Sequence, residues 1–202
     1  MEKFEKLIMG KTIILTAEKE LEPQIESLFT ILEQVNCDEL IDGFSFQVGW
    51  SVYFLHEKEN GHFTLTTPDY SKNPFEHMTE DLTLALWVQL EQGHFLRKLS
   101  VDGLSIKFSD KIILTKGVLE LEEIYLQRTG DVEKGDSGWY IGPVEDNDNT
   151  DLYALYAYQL LKIKPEIIQV LALPYDFMVV FEGNEIKAVL NENDVDVFNG
   201  SI

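Results

Sequence analysis

Two aromatic and β-branched runs, Phe44 to Leu55 and Phe63 to Thr67, flank the segment His56-Glu57-Lys58-Glu59-Asn60-Gly61-His62. Such runs fit the pleated, half-buried surface of a strand, and Asn60 with Gly61 tolerates the positive φ of a hairpin turn. An antiparallel hairpin is therefore expected in the first half. Helices flank it. Pro23 opens one in which Ile25, Leu28, Phe29, Leu32 and Val35 share a face, with Glu26 and Glu33 opposite. Thr79 is placed to cap a second, with Glu80 and Asp81 at its positive end and Leu82, Leu86, Leu90, Trp87 and Val88 forming a broad apolar stripe.

The second half reads mainly as strands: Lys111 to Lys116, Leu119 to Arg128 and Gly138 to Val144, with turn signals at Gly117, Gly130 and Gly135. Leu152 to Leu161 reads as an apolar helical insert. Pro165 opens a short helix through Ile167, Ile168 and Leu171, closed by Pro174. Tyr175 to Phe181 and Glu185 to Leu190 form a last hairpin across Glu182-Gly183-Asn184. The fold class expected is α+β, mostly antiparallel sheet with a few packed helices in each half. A soft boundary within Val101 to Phe108, where Asp102 and Gly103 supply a turn, gives an N-terminal α+β module over 1–105 and a second domain over 106–202.

Charge sets the class of partner. The chain has 36 acidic and 16 basic residues, a net charge of −20. Eighteen acids and eight bases lie on each side of Ser105, so the acidity is no appended tail. Bare nucleic acid and anionic membrane are repelled. No secretory leader is legible at the N-terminus, and the apolar run Leu152 to Leu161, about ten residues, is half of the roughly 20 a membrane helix needs. The single cysteine, Cys37, suits a reducing cytoplasm and reads as a small core residue.

Catalytic motifs are missing. There is no GxSxG, GxGxxG or GxxxxGK[ST], and no cofactor is implied. The expected hairpin can bring His56 and His62 near each other, but without the further ligands a metal needs they read as solvated polar residues at a turn. The run Glu145 to Asp151 imitates a calcium loop, but Asp151 stands where glycine is required and Ala157 where a bidentate glutamate is required. What stands out is surface chemistry. From Asp131 to Asp151 there are seven acids and one base, Lys134, around Asp136-Ser137-Gly138-Trp139-Tyr140. Acids steer a basic partner and a desolvated aromatic ring holds it. The competing reading, favoured for a lone tryptophan on a strand, is that Trp139 packs in the core.

These residues carry a resemblance. Arg128 closing an apolar strand, Asp136-Ser137-Gly138-Trp139, an Asp-rich loop, Pro165-Glu166-Ile167-Ile168, and Leu171 to Pro174 before a final hairpin resemble the immunity protein 33 family of bacterial polymorphic toxin systems. The likeness spans roughly Ile112 to Leu190. Asp136, Gly138 and Trp139 look like its signature, with Arg128 a weaker element. Tyr140, Ile141 and the tyrosines Tyr153, Tyr156 and Tyr158 depart from it. The resemblance implies a cytoplasmic, non-enzymatic protein that binds and neutralises a cognate toxin. The expected partner-binding residues are Asp136, Ser137, Trp139, Tyr140, Glu145, Asp146, Asp148 and Asp151. Two alternatives stay open: an acidic interaction or regulatory module unrelated to toxins, and an enzyme on an uncatalogued carboxylate or metal site.

Overall fold

The structure, a computed structural model, describes residues 1–145 and 151–199. The chain forms two compact units, Met1–Leu90 and Glu91–Ile202, each built on a mixed sheet.

The first unit opens with a hairpin the sequence reading did not anticipate, β1 (Glu2–Ile8) against β2 (Lys11–Ala17), turning at Met9 and Gly10, both with positive φ. The charges of Glu2, Lys3, Glu5 and Lys6 hide the strand pattern of β1. Helix α1 (Glu22–Glu33) has Pro23 in its first turn and buries Ile25, Leu28, Phe29 and Leu32, as their spacing requires. It packs on the hairpin, where Lys6 bonds Glu33 at 2.9 Å and lies over the Phe29 ring. Cys37 corrects an expectation: it lies exposed in the turn beyond the helix, because the apolar face ends with Val35.

The run from Phe44 breaks at Gly49, whose positive φ turns β3 (Ser45–Val48) back onto β4 (Ser51–Glu57). The expected hairpin follows, β4 against β5 (Phe63–Pro68), with Gly61 at φ +76°. A short β6 (Met78–Thr79) pairs with β5, and the sheet order is β1-β2-β5-β4-β3, with β2 and β5 parallel. Helix α2 (Thr83–Leu99) starts later than its sequence implies. Thr79 belongs to β6, and it is Asp81 whose carboxylate accepts the Thr83 N–H. The division between the units falls within α2.

The second unit holds β7 (Lys111–Thr115), β8 (Glu123–Arg128), β9 (Asp136–Pro143), β10 (Leu152–Tyr156), α3 (Leu160–Ile163), β11 (Met178–Glu182) and β12 (Glu185–Leu190). A 3-10 turn, Pro165–Val170, follows α3. The sheet order is β10-β7-β9-β8-β11-β12, antiparallel except for β7 with β9. One face, with Ile112, Leu114, Ile124, Leu126, Ile141, Val179 and Val189, is buried, and the other carries half-exposed Tyr125 and Tyr140. The α+β class holds, with antiparallel pairs in the majority. The helix expected over Leu152 to Leu161 does not: Leu152–Tyr156 pairs with β7, and helical turns begin only at Ala157. Local apolarity cannot separate a buried helix from a strand, and the partner strand decides. Among the described residues no helix is long and apolar enough to cross a membrane.

Candidate functional site

The Asp136-Ser137-Gly138-Trp139 segment begins β9 and is built inward. Asp136 Oδ1 accepts the Gly138 N–H at 2.8 Å. Ser137 Oγ donates to the Lys111 carbonyl at 2.7 Å and accepts the Trp139 N–H at 3.1 Å, tying β9 to its parallel neighbour β7. Gly138 has φ +79°, and a Cβ there would lie 2.3 Å from the Thr129 carbonyl oxygen. Only glycine fits both constraints. Gly138→Ala is expected to cost about 2–3 kcal/mol, from positive-φ strain and the backbone clash; urea denaturation measures it, and a cost near zero would show that the turn relaxes freely.

Trp139 is 1% exposed and its Nε1–H donates to the Leu171 carbonyl at 3.0 Å, fastening the end of the Pro165–Val170 turn to the sheet. Arg128, at the end of β8, is 2% exposed. Its Nε donates to the Ser137 carbonyl at 3.2 Å, and one terminal nitrogen donates to the carbonyls of Leu104, at 2.6 Å, and Leu173. The guanidinium also lies 4.9 Å from the Tyr175 ring centroid and 5.8 Å from that of Trp139. Burial pushes it below its ordinary pKa, with the charges of Tyr175 and Asp110 acting the other way. A planar fork that spreads its charge over carbonyl dipoles and ring faces suits such a place better than a point charge. Trp139 and Ser137 are thus both buried, each with its polar atom bonded inside the unit, which is the core packing favoured for a lone tryptophan on a strand and not the surface contact also expected of them.

The remaining expected contacts divide. Tyr140 is half-buried, its hydroxyl 2.7 Å from Thr115 Oγ1 and its ring edge-on to Tyr125. Asp146 and Asp148 lie outside the described residues. Asp136 and Glu145 stand at opposite ends of β9, an eight-residue strand spanning roughly 23 Å. Although both fall in one acidic stretch of sequence, Asp136 and Glu145 form no single surface.

The topology instead gathers acids at the far end of the sheet. There β7, β9 and β11 end and β10, β8 and β12 begin. Lys116 N–H donates to the Asp151 carbonyl, Val144 N–H to that of Glu123 and Gly183 N–H to that of Glu122, while Glu123 pairs with Glu182 and Glu182 with Glu185. Glu120 lies close enough to Tyr153 to act on its hydroxyl, whose pKa is raised by burial first and by that carboxylate second. Among the described residues seven exposed carboxylates result: Glu120, Glu122, Glu123, Glu145, Asp151, Glu182 and Glu185. Across six strands spaced ~4.8 Å apart the row runs roughly 24 Å. Two exposed lysines accompany it, Lys116 and Lys187, the latter 2.6 Å from Glu182. Lys164 is buried and donates to the Gly183 carbonyl at 3.0 Å. The end bearing Asp136 is more balanced, with Asp110, Asp131, Glu133, Asp136 and Asp176 against Lys107, Lys111 and Lys134.

Of these seven, the sequence reading names Glu145 and Asp151 and leaves out the other five. Their signal was present: acids at Glu122 and Glu123 where β8 starts, at Glu182 where β11 ends and at Glu185 where β12 starts, positions that antiparallel pairing brings to one end. The histidines show nothing comparable. His56 is 3.0 Å from Thr66 Oγ1 and 3.7 Å from Asp42, and among the described residues no three metal-ligating side chains converge.

The model of the Imm33-like domain matches residues 91–192, half of the chain. The chain belongs to the Imm33-like family. The Imm33-like match starts within α2, ahead of the Ile112 from which the resemblance was legible, and takes in the whole second sheet, Arg128, Gly138 and Trp139. The start has a structural counterpart, since Gln92 of α2 donates to the Ile168 carbonyl at 3.1 Å and Phe95 and Leu99 are buried. No curated protein and no solved structure matches the chain.

Proposed function

We propose that this protein is an immunity protein, which binds and neutralises a cognate bacterial toxin in the cytoplasm and makes or breaks no covalent bond. The observation that carries this reading is the row of seven exposed carboxylates that six strands assemble at one end of the Imm33-like unit. A toxin that acts on an anionic substrate such as nucleic acid presents a basic cleft, and a rigid carboxylate row is a substitute that such a cleft attracts and holds. Its docking surface is the strand end with Glu122, Glu145 and Asp151, and the signature residues, at the opposite end of β8 and β9, brace the sheet that presents it.

The test is direct. The toxin domain encoded in the adjacent reading frame forms a stoichiometric complex with this protein by native mass spectrometry. Its association rate falls steeply as salt rises, because long-range attraction is screened over a Debye length of about 8 Å at physiological ionic strength. Absence of any complex with a neighbouring toxin domain overturns the proposal, and favours an acidic module of unrelated purpose.

A further inference from the structure

Among the described residues the two sheet paths end in four strands, β1, β3, β10 and β12, and three of these are protected against pairing with another chain. β1 carries Lys3 and Lys6 among Glu2 and Glu5, and β3 has only four residues. β12 carries Glu185 and Lys187 and is covered by the segment that follows it: Val197 N–H donates to the Val189 carbonyl, and Asn199 Nδ2 to that of Lys187 at 2.8 Å. Charges, shortness and cover are the ordinary devices that keep sheet edges from adding strands. β10 has neither charges of its own nor, among the described residues, a covering segment. Its sequence is Leu152-Tyr153-Ala154-Leu155-Tyr156, with no charge and no proline, and among the described residues it has β7 on one side and no strand on the other.

Its side chains point the same way. Leu152 is 60% exposed and Tyr153 41%, on opposite faces of the strand, so apolar surface flanks the open edge above and below. Exposed Leu121 and Val144 lie at the same end of the sheet, among Glu120, Glu122, Glu145 and Asp151. The ladder alternation fixes which backbone groups face outward. Lys116 N–H donates to the Asp151 carbonyl and Ala157 N–H to that of Asp110, so Asp151, Tyr153, Leu155 and Ala157 bond towards β7. The N–H and C=O of Leu152 and Ala154 therefore point away from it.

We infer that β10 is the docking edge of this protein, to which the partner adds an extended segment as a further strand, basic where it passes Glu120 and Asp151 and apolar where it covers Leu152 and Tyr153. This rests on the proposed function for the existence of the partner, and adds where and how that partner binds. Backbone pairing supplies affinity, and the alternating side chains select the sequence. The partner is a basic chain and not a second copy of this one, because pairing two chains of −20 through edges flanked by acids sets like charge against like charge.

Ala154→Pro isolates the claim. Proline removes an N–H that serves no bond within this sheet, and an outward-facing position on an edge strand is where proline is tolerated. The variant keeps the wild-type melting temperature and binds the adjacently encoded toxin domain about tenfold or more weakly, whereas Ala154→Ser, which retains the N–H, binds as the wild type does. Amide exchange on the wild-type complex gives an independent readout, with the Leu152 and Ala154 amides gaining protection; it decides the matter even if the proline variant fails to fold. A complex that forms with both amides unprotected and undiminished by Ala154→Pro overturns the inference and leaves the proposed function standing. Protection of those amides in the free protein, with dimers in analytical ultracentrifugation, overturns it in favour of a second copy. Absence of any complex removes both.

Discussion

Replacing Trp139 with alanine lowers the stability of the second unit by about 3–5 kcal/mol, the ordinary cost of emptying a buried aromatic site. The ring is 1% exposed and its indole nitrogen is bonded to the Leu171 carbonyl, so the substitution opens a cavity and frees a buried acceptor together. The melting midpoint falls by roughly 10–20 °C. Toxin binding by the fraction still folded is retained, because the ring meets no solvent. A ring used as a surface anchor would behave in the opposite way, with binding abolished and the melt unchanged. Calorimetry with a binding assay below the transition separates the two. For the family signature, the first outcome assigns its tryptophan to folding.

Arg128→Met is expected to cost about 2–4 kcal/mol, because several backbone carbonyls lose a charged hydrogen-bond donor while no counter-ion is stranded. Methionine keeps much of the stem and its packing, so the loss isolates the guanidinium. The carbonyls of Ser137, Leu104 and Leu173 are left without that donor, and they join the start of β9, the loop before β7 and the loop before β11. Arg128→Lys recovers only part, because one ammonium on a flexible stem cannot span three acceptors held by a planar fork. Full recovery by lysine in urea denaturation would show that charge alone matters and that the fork geometry is incidental.

The legibility of the fold follows from how local its signals are. The α1 face, the Asn60-Gly61 hairpin, the Pro165 turn and the last hairpin are set by residues within a few positions of one another, and each stands where its pattern puts it. β1 was hidden because an outer strand carries charges that suppress alternation, and β10 because a short apolar run has no period of its own. In both, a partner strand supplies what local sequence lacks. The site divides in the same manner. Arg128 and the Asp136 to Trp139 segment were legible as a unit, though their inward direction depends on Thr129, Leu171 and Leu173, which only folding brings near. Acidity counted along the chain joined Asp136 to Glu145, while the sheet separates them by the length of β9 and places Glu145 beside Glu122, Glu123 and Glu182. A linear count of charge mislocates a surface whenever a strand runs through the counted segment.

The most direct measurement compares two charge-reversal variants of equal net change, Glu122→Lys with Glu145→Lys at the acidic strand end, and Asp102→Lys with Glu133→Lys away from it. All four positions are exposed, so both proteins should melt as the wild type does. Association rates with the adjacently encoded toxin domain are then followed by stopped flow at low and physiological salt. The account predicts a slowing of about tenfold or more at low salt for the first variant and a rate close to wild type for the second, with the difference shrinking as salt rises. Equal slowing in the two, or slowing confined to the second, would contradict the placement of the toxin-binding surface at the acidic end of the sheet.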